Sequence, residues 1–334
     1  MPALNNKGSD IACEEDAMAE FDFAPSKWVP FRDKAVLDYV RHITREEITK
    51  REPGWHPEFN VQVVPDDMLE WIWVADMFKR IKASDDEDRP VTLVLPNPAH
   101  SYKKVALLLN TCGVNCRNLH VYIMDEYADE HGTIAPPSYP ASFFRATMNY
   151  LYREIDPALR PPERQMHGPT NENLNDYGKM IAEMGGADAI YTGPGWVGHV
   201  AFIEPATAES PEFQAASLEE WMQLGPRIVT LHPFTIAQNS LHGCFGLSGD
   251  VANVPPRAFT IGPAEVVGAK YRMEFNSMTT MGTFVSWQRL MTRLILHGPV
   301  TPLVPTSLHQ KLKTDYLVSE TIAANIEPNW NVGY

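Results

Sequence analysis

The sequence predicts an α/β fold, in which helices on both faces cover a doubly wound, mostly parallel sheet in a Rossmann-like three-layer arrangement. Strand-like and helix-like segments alternate through most of the chain. The run VTLVLP at 91–96 is largely apolar, which is typical of a strand buried on both faces. No internal repeat, low-complexity tract or convincing linker follows residue 58, so we expect a single domain from 58 to 334.

Residues 1–57 differ from the rest and are predicted to form an N-terminal extension that packs on the main domain. Prolines interrupt the extension, and only the stretch from Asp33 to Arg51 looks helical. The regular pattern starts with the alternating strand FNVQVV at 59–64, and an amphipathic helix follows through about Ala83. The strand at 91–96, a helix over 101–109 and a strand at 119–124 form a βαβ unit.

The alternation continues to the end of the domain. Helices are predicted at 138–155, 171–185 and 283–298, with a connector at 165–169. Further strands are predicted at 187–193, 227–232, 257–262, 271–277 and 314–319.

Charge and composition exclude several classes of function. The formal net charge is -14, which disfavours binding to nucleic acid or to an anionic membrane, and an anionic substrate would need a local positive pocket. The chain has no apolar run long enough to cross a bilayer and begins with an acidic segment, so we expect a cytoplasmic protein. The four cysteines match neither a disulfide framework nor a zinc site and are expected to be reduced thiols: Cys13, Cys112, Cys116 and Cys244.

In a parallel sheet of this kind, ligands bind beyond the carboxyl ends of the strands. Three predicted loops at these strand ends contain candidate catalytic or binding residues: 97–101, 125–127 and 193–199. Asp125 and Glu126 place two carboxylates at the mouth of an apolar strand, where partial burial raises a pKa toward that of a general base. The alternative is that they cap a turn or face water.

The segment TGPGWVGHVAFIEP is more specific. Its glycines, Gly193, Gly195 and Gly198, allow the backbone to approach a ligand closely. His199 and Glu204 follow, and a carboxylate near a histidine can hold the imidazole in one tautomer for acid–base chemistry. The alternative is a histidine whose hydrogen bonds are satisfied beside a tight turn.

The strand ending in MDEY, the motif GPGWVGHVAFIEP, and then RIVTLH, NS and RAFTIG in that order resemble the glucosamine-6-phosphate deaminase/isomerase family and its 6-phosphogluconolactonase relatives. The likeness runs from about Phe59 to about Ala323, and Tyr127 and the AFIEP ending resemble the deaminase branch. It implies that Asp125 is the base that moves a proton between C2 and C1 of a sugar. It also implies that His199 assists ring opening, that Glu204 orients His199, and that no metal or organic cofactor is needed. A homo-oligomer is also consistent with the family.

The sequence departs from the family pattern mainly where an anion would bind. Leu241 replaces an arginine there. Val197 replaces an acidic residue before the Gly-His pair, which removes a group that the family uses in ring opening. The expected lysine falls among residues 278–281, which contain none. In the first loop, Asn97 could contact substrate or simply serve as a helix N-cap before Pro98. The residues offered for substrate binding are Asn97, His100, Ser101, Lys104, Glu126, Tyr127, Gly193, Gly195, Trp196 and Gly198.

Three hypotheses about function follow from the sequence. The first is an isomerase or deaminase that acts on a modified or unphosphorylated sugar. The second is a glucosamine-6-phosphate deaminase whose anion site is rebuilt from His100, Lys103, Lys104 or the extension. The third is a sugar-binding protein that has lost catalysis.

Overall fold

The computed structural model describes residues 23–96, 100–277 and 286–327. Within these residues, ten strands form two sheets. The strands are β1 (Phe59–Val64), β2 (Val91–Leu95), β3 (Leu119–Ile123), β4 (Asp125–Ala128), β5 (Met166–His167), β6 (Ala189–Thr192), β7 (Arg227–Thr230), β8 (Arg257–Thr260), β9 (Arg272–Asn276) and β10 (Thr314–Ser319). Seven of them form the main sheet in the order β1-β10-β9-β6-β2-β3-β5, and all of its pairings are parallel.

The helices connect these strands and cover the main sheet. They are α1 (Lys34–Arg41), α2 (Asp66–Asp86), α3 (Tyr102–Cys112), α4 (Phe143–Thr147), α5 (Tyr177–Glu183), α6 (Leu218–Trp221), α7 (Pro233–Asn239), α8 (Pro263–Gly268), α9 (Gln288–His297) and α10 (Glu320–Ala323). A π-helical turn, Met148–Tyr152, continues α4. No helix among the described residues is both long enough and apolar enough to span a membrane.

Alternate residues of β10 show that both faces of the main sheet are covered. Tyr316 and Val318 pack into an apolar cluster with α9 and the extension, whereas Leu317 packs into the larger cluster on the other face. Side chains of a strand alternate between faces, so buried residues on both sides require two covering layers. The predicted fold class, a doubly wound and mostly parallel sheet between helical layers, is confirmed.

The second sheet was not predicted. Its three strands are antiparallel in the order β4-β8-β7, and Asp125 pairs with Thr260. The segments 227–232 and 257–262 are therefore strands, as predicted, but they do not join the parallel sheet. The prediction of a loop at 125–127 is wrong, because these residues lie in β4 and continue almost directly from β3.

Several predicted boundaries also change. The helix in the extension ends at Arg41 rather than at Arg51, and the chain then turns to bury Ile43 and Ile48. The helices predicted at 138–155 and 171–185 are shorter, and the connector at 165–169 contains β5. The N-cap of α3 is Ser101, and the predicted cap Asn97 lies outside the described residues.

The described part of the extension packs against α9. Val40, Ile48 and Trp55 belong to the same apolar cluster as Leu294 and Ile295. The indole nitrogen of Trp55 donates a hydrogen bond to the carbonyl of Leu296 at 3.2 Å. The division of the chain at residue 57 stays a prediction.

Candidate active site

A cavity of about 940 Å³ lies at the carboxyl end of the main sheet. Its wall includes a residue that follows each of four neighbouring strands, β9, β6, β2 and β3: Ser277, Gly193, Pro96 and Met124. Because parallel strands end on the same edge, residues distant in sequence meet here. Both Asp125 and His199 line this cavity.

Asp125 stands at the junction of β3 and β4 with only 3% of its surface exposed. Its Oδ1 has no hydrogen-bond partner among the described residues. Burial raises the pKa of this carboxyl well above its usual value, and the nearby Glu126 raises it further. A carboxyl group with these properties can accept a proton from carbon near neutral pH.

Glu126 and Tyr127 do not line the cavity, which corrects the expectation that they contact substrate. The carboxylate of Glu126 accepts hydrogen bonds from Ser142 Oγ at 2.7 Å and from the amides of Phe143 and Phe144 at 3.1 and 3.0 Å. It therefore neutralises the N-terminus of α4, which is the capping alternative. Tyr127 is buried, and its ring packs on that of Phe143 at 4.7 Å.

A tight turn places the imidazole of His199. The amide of Gly198 donates to the carbonyl of Gly195 at 2.9 Å, and Gly198 has a φ of +78°, a conformation that favours glycine. A Cβ atom on Gly195 would lie 2.0 Å from His199 Nε2. Gly195 is therefore required for the observed position of the ring, and the ring's Nε2 lies against the backbone of the cavity wall.

Two buried groups flank the other ring nitrogen of His199. Nδ1 lies 3.4 Å from Glu204 Oε2 and 3.3 Å from Thr235 Oγ1. An ionised carboxylate only accepts hydrogen bonds, so this pairing favours a proton on Nδ1 and a free lone pair on Nε2. His199 and Glu204 are thus arranged for acid–base chemistry at the cavity.

Of the remaining residues predicted to bind substrate, some line the cavity and others do not. Gly193, Gly195 and His100 line the cavity, and the His100 ring lies 4.3 Å from that of Tyr150. Gly198 itself is not part of the wall. Asn97 lies outside the described residues.

Three predicted residues have other partners instead of facing the cavity. Ser101 and Lys104 both bind the carboxylate of Glu70 on α2. Trp196 stacks on Trp287 with ring centroids 5.6 Å apart, and it lines a second cavity together with Val197. These positions correct the expectation that Ser101, Lys104 and Trp196 contact substrate in the main cavity.

Sequence reasoning missed the contribution of α7 and the loop after it. Gln238, Leu241 and His242 line the cavity, and Gln238 Oε1 accepts a hydrogen bond from the Trp196 amide at 2.7 Å. Pro233 at the first position of α7 could have revealed this helix, because proline is favoured there. Its proximity to the glycine-rich turn had no signal in the sequence.

The described part of the cavity wall carries no permanent positive charge. None of the described residues that line it is a lysine or an arginine, and the sequence segments 97–99 and 278–285 contain neither residue type. Burial lowers the pKa of His242, which favours its neutral form. Among the residues that the structure describes, no group of three His, Cys, Asp or Glu side chains could hold a metal ion.

The fold and the cavity define an α/β protein with a buried carboxyl group and a carboxylate-paired imidazole at the ends of parallel strands. No protein-family model matches the chain. A glucosamine-6-phosphate deaminase of Caenorhabditis elegans is 27% identical over 198 residues, which cover 57% of this chain and 65% of the relative. The deaminase of Mannheimia succiniciproducens is 29% identical over 216 residues, covering 59% and 68%. The chain thus spans about two thirds of the length of these relatives.

Solved structures agree on the fold. A monomeric glucosamine-6-phosphate deaminase superimposes with a TM-score of 0.62 at 18% identity, over 79% of this chain and 98% of the other. A 6-phosphogluconolactonase from Trypanosoma cruzi gives 0.52 at 15% identity, over 86% and 99%. The chain is thus similar in sequence to glucosamine-6-phosphate deaminases, which are enzymes, and it shares its fold with a 6-phosphogluconolactonase.

Proposed function

We propose that this protein is an isomerase or deaminase that moves a proton between adjacent carbons of an unphosphorylated sugar. The observation that carries this proposal is that the carboxyl of Asp125 and the imidazole of His199 open into one cavity. A sugar bound there has a base on one side and an acid–base pair on the other. Holding reacting groups in this way supplies a large part of the rate enhancement of such reactions.

His199 and Glu204 serve ring opening. Opening a pyranose requires that the O1 hydroxyl loses a proton and that the ring oxygen O5 gains one. The free lone pair of Nε2 accepts the first proton, and the resulting imidazolium donates the second. Glu204, which is 1% exposed, stabilises the imidazolium through its contact with Nδ1.

Asp125 serves the proton transfer. In the open-chain sugar its carboxylate removes the proton from C2, and the electron pair moves into an enediol or enolamine as the C1 carbonyl oxygen gains a proton. The carboxyl group then returns a proton to C1, while the oxygen or nitrogen on C2 loses one. If the sugar carries an amino group at C2, the product is an imine that water hydrolyses to release ammonia. The raised pKa of Asp125 makes it a stronger base than an exposed carboxylate.

No lysine or arginine is among the described residues that line the cavity, and this supports an unphosphorylated substrate. Phosphate sites normally use charge-assisted hydrogen bonds, each contributing about 1.5–3 kcal/mol. The lysines that could rebuild such a site are occupied elsewhere, since Lys103 pairs with Glu154 at 3.1 Å and Lys104 binds Glu70. A glucosamine-6-phosphate deaminase with a rebuilt site is therefore less well supported.

The test is deuterium exchange at C2 of hexoses and hexosamines in D2O, measured by proton NMR. Ammonia release from glucosamine and from glucosamine 6-phosphate is measured in parallel. We expect exchange with an unphosphorylated sugar and its loss in Asp125→Asn. The matched control Glu130→Gln, which removes an exposed carboxylate two residues beyond β4, should retain activity.

Three outcomes count against the proposal. Unchanged turnover in Asp125→Asn removes Asp125 as the base. Activity on glucosamine 6-phosphate alone would favour the hypothesis of a glucosamine-6-phosphate deaminase with a rebuilt anion site. Ligand-induced stabilisation without exchange on any sugar identifies a non-catalytic sugar-binding protein.

A further inference from the structure

The cavity is larger than a simple sugar requires. Liquid water takes about 30 Å³ per heavy atom, so a hexose of about twelve heavy atoms fills at most roughly 360 Å³. The cavity holds about 940 Å³, so more than half of it lies beyond a bound hexose. The function proposed above assigns no ligand group to this space.

A large part of the cavity lining is apolar. Four half-buried or exposed side chains present hydrocarbon to the cavity and form what we call the apolar wall: Tyr150, Leu241, Leu247 and Phe275. The Phe275 ring is held by Trp73, which stacks on it with ring centroids 5.8 Å apart and an angle of 13°. A rigid aromatic surface of this kind favours contact with another ring or a branched apolar group.

Polar groups line the same cavity. Asp125, His199 and Gln238 line it together with the glycines of the 193–198 turn. The reacting carbons must lie at Asp125 and His199, so the end of the sugar remote from C1 points toward the remaining space. Apolar walls with a few placed polar groups are typical of sites that bind a small amphipathic molecule.

We propose, resting on the function proposed above, that the substrate is a sugar bearing an apolar, ring-containing substituent remote from its reacting carbons, which packs on the apolar wall. Asp125, His199 and Gln238 then hold the sugar, and the apolar wall excludes water from the substituent. The same wall rejects a phosphate, because a dianion there would lose its hydration without gaining a cation.

The experiment compares three compounds that differ only at C6: glucosamine, glucosamine 6-phosphate and 6-O-benzoylglucosamine. Dissociation constants are measured by calorimetry on Asp125→Asn, so binding is separated from turnover. Burial of a phenyl ring predicts that the benzoyl compound binds at least about tenfold more tightly than the other two. Binding of glucosamine 6-phosphate that equals or exceeds it overturns the proposal, and so does failure of all three to bind.

Two variants locate the subsite. Leu247→Ala trims an exposed residue of the apolar wall and should weaken the benzoyl compound about threefold or more without changing the affinity for glucosamine. Leu107→Ala is the matched control, because Leu107 is exposed on α3 and does not line the cavity. An equal effect of both variants, or an equal loss for both ligands, contradicts the assignment.

Leu241→Arg tests the charge argument. An arginine in the wall should strengthen binding of glucosamine 6-phosphate about tenfold and weaken the benzoyl compound, whereas the uncharged Leu241→Gln should do only the latter. The two proposals fail separately. Selective binding of the benzoyl compound without deuterium exchange supports the apolar subsite and contradicts the proposed enzymatic activity. Exchange with all sugars but no selectivity in binding supports the activity and contradicts the subsite.

Discussion

At the residue scale, Asp125 combines two conflicting demands. A carboxyl group that is buried without a partner for Oδ1 is costly to ionise, yet a base must be ionised to act. Glu126, its neighbour, resolves the same problem differently, because three backbone amides and the Ser142 hydroxyl surround its carboxylate. This contrast indicates that Glu126 has a structural role, whereas the carboxyl of Asp125 remains the candidate base.

We therefore expect Asp125→Asn to stabilise the fold while it abolishes activity. An exposed aspartate in the unfolded chain ionises near pH 4, whereas burial raises the pKa of the folded carboxyl. Above pH 4 unfolding of the wild type releases a proton, so its stability relative to the variant falls as pH rises through the folded pKa. Thermal denaturation from pH 4 to 8 should show equal melting at the acidic end and a gap of several degrees at pH 8. A gap that is constant with pH contradicts this account.

Gly195 provides a second prediction at this scale. A methyl group on Gly195 would overlap His199 Nε2, so Gly195→Ala must displace the imidazole. Displacement by about 1 Å typically costs about 100-fold in rate, and we expect that loss in kcat/KM with little change in circular dichroism. Gly243→Ala is the control, because Gly243 lines the same cavity but its added Cβ meets nothing within 4 Å. Wild-type activity in Gly195→Ala would show that His199 is not needed in this position.

At the scale of elements, sequence patterns predicted strands most accurately where burial of apolar side chains alone determines the pattern. The apolar run at 91–96 and the alternation at 59–64 gave β2 and β1 because burial alone sets those patterns. The stretch Asp125–Ala128 carries two acids, and it becomes a buried strand only because β8 pairs with it and the N-terminal amides of α4 donate hydrogen bonds to Glu126. Such tertiary compensation leaves no local signal.

The candidate site shows the same division. The glycine-rich turn and the Asp125 and His199 positions could be read from motifs, because tight turns and strand ends constrain residue type. The cavity's apolar wall could not, since Tyr150, Leu241 and Phe275 come from three separate elements and look like ordinary core residues. Ser101 and Lys104 were misassigned because their partner Glu70 lies on another helix.

Arg293 on α9 connects the extension to the C-terminal helix. It is fully buried, and burial lowers its pKa to about 10. Its guanidinium donates to the carbonyls of Ile43 at 2.7 Å, Ala323 at 2.9 Å and Ala324 at 3.0 Å. It thus provides donors for carbonyls in two places, after α1 and at the end of α10.

Arg293→Met should therefore reduce the free energy of unfolding by about 2–4 kcal/mol, because buried carbonyls lose their donors while the hydrocarbon is kept. Arg289→Met is a suitable control. Arg289 donates one hydrogen bond, to Thr321 at 3.1 Å, and its loss should cost less than about 1 kcal/mol. Urea denaturation measures the free energy of unfolding of both variants. Equal losses would show that the buried hydrogen bonds of Arg293 contribute no more than the single bond of Arg289.

At the scale of the whole molecule, the charge distribution agrees with the chemistry proposed for the cavity. The chain carries a formal charge of -14, and the described part of the cavity wall has no lysine or arginine to offset it. A field of this sign repels phosphorylated sugars and attracts amino sugars, which are cationic near neutral pH. The net charge of the chain and the described cavity wall therefore both disfavour a phosphorylated sugar.

The main sheet also divides the molecule into two apolar clusters, and the extension supplies part of the smaller one. Ile48 is fully buried there with Phe59 of β1 and Tyr316 of β10, so strands at one edge of the sheet depend on the extension for their cover. Two clusters that share a sheet should unfold together, because loss of either exposes apolar faces of the same strands. The extension is then part of the folding unit and not an appendage.

Ile48→Ala tests this dependence. Removal of a buried isoleucine side chain should reduce the free energy of unfolding by about 2–4 kcal/mol. Hydrogen exchange of β10 amides should report the same loss as urea denaturation followed by circular dichroism. Met68→Ala, at an exposed position of α2, should change neither. If the extension folds independently, Ile48→Ala will instead destabilise only residues before β1 and leave the protection of β10 at its wild-type level.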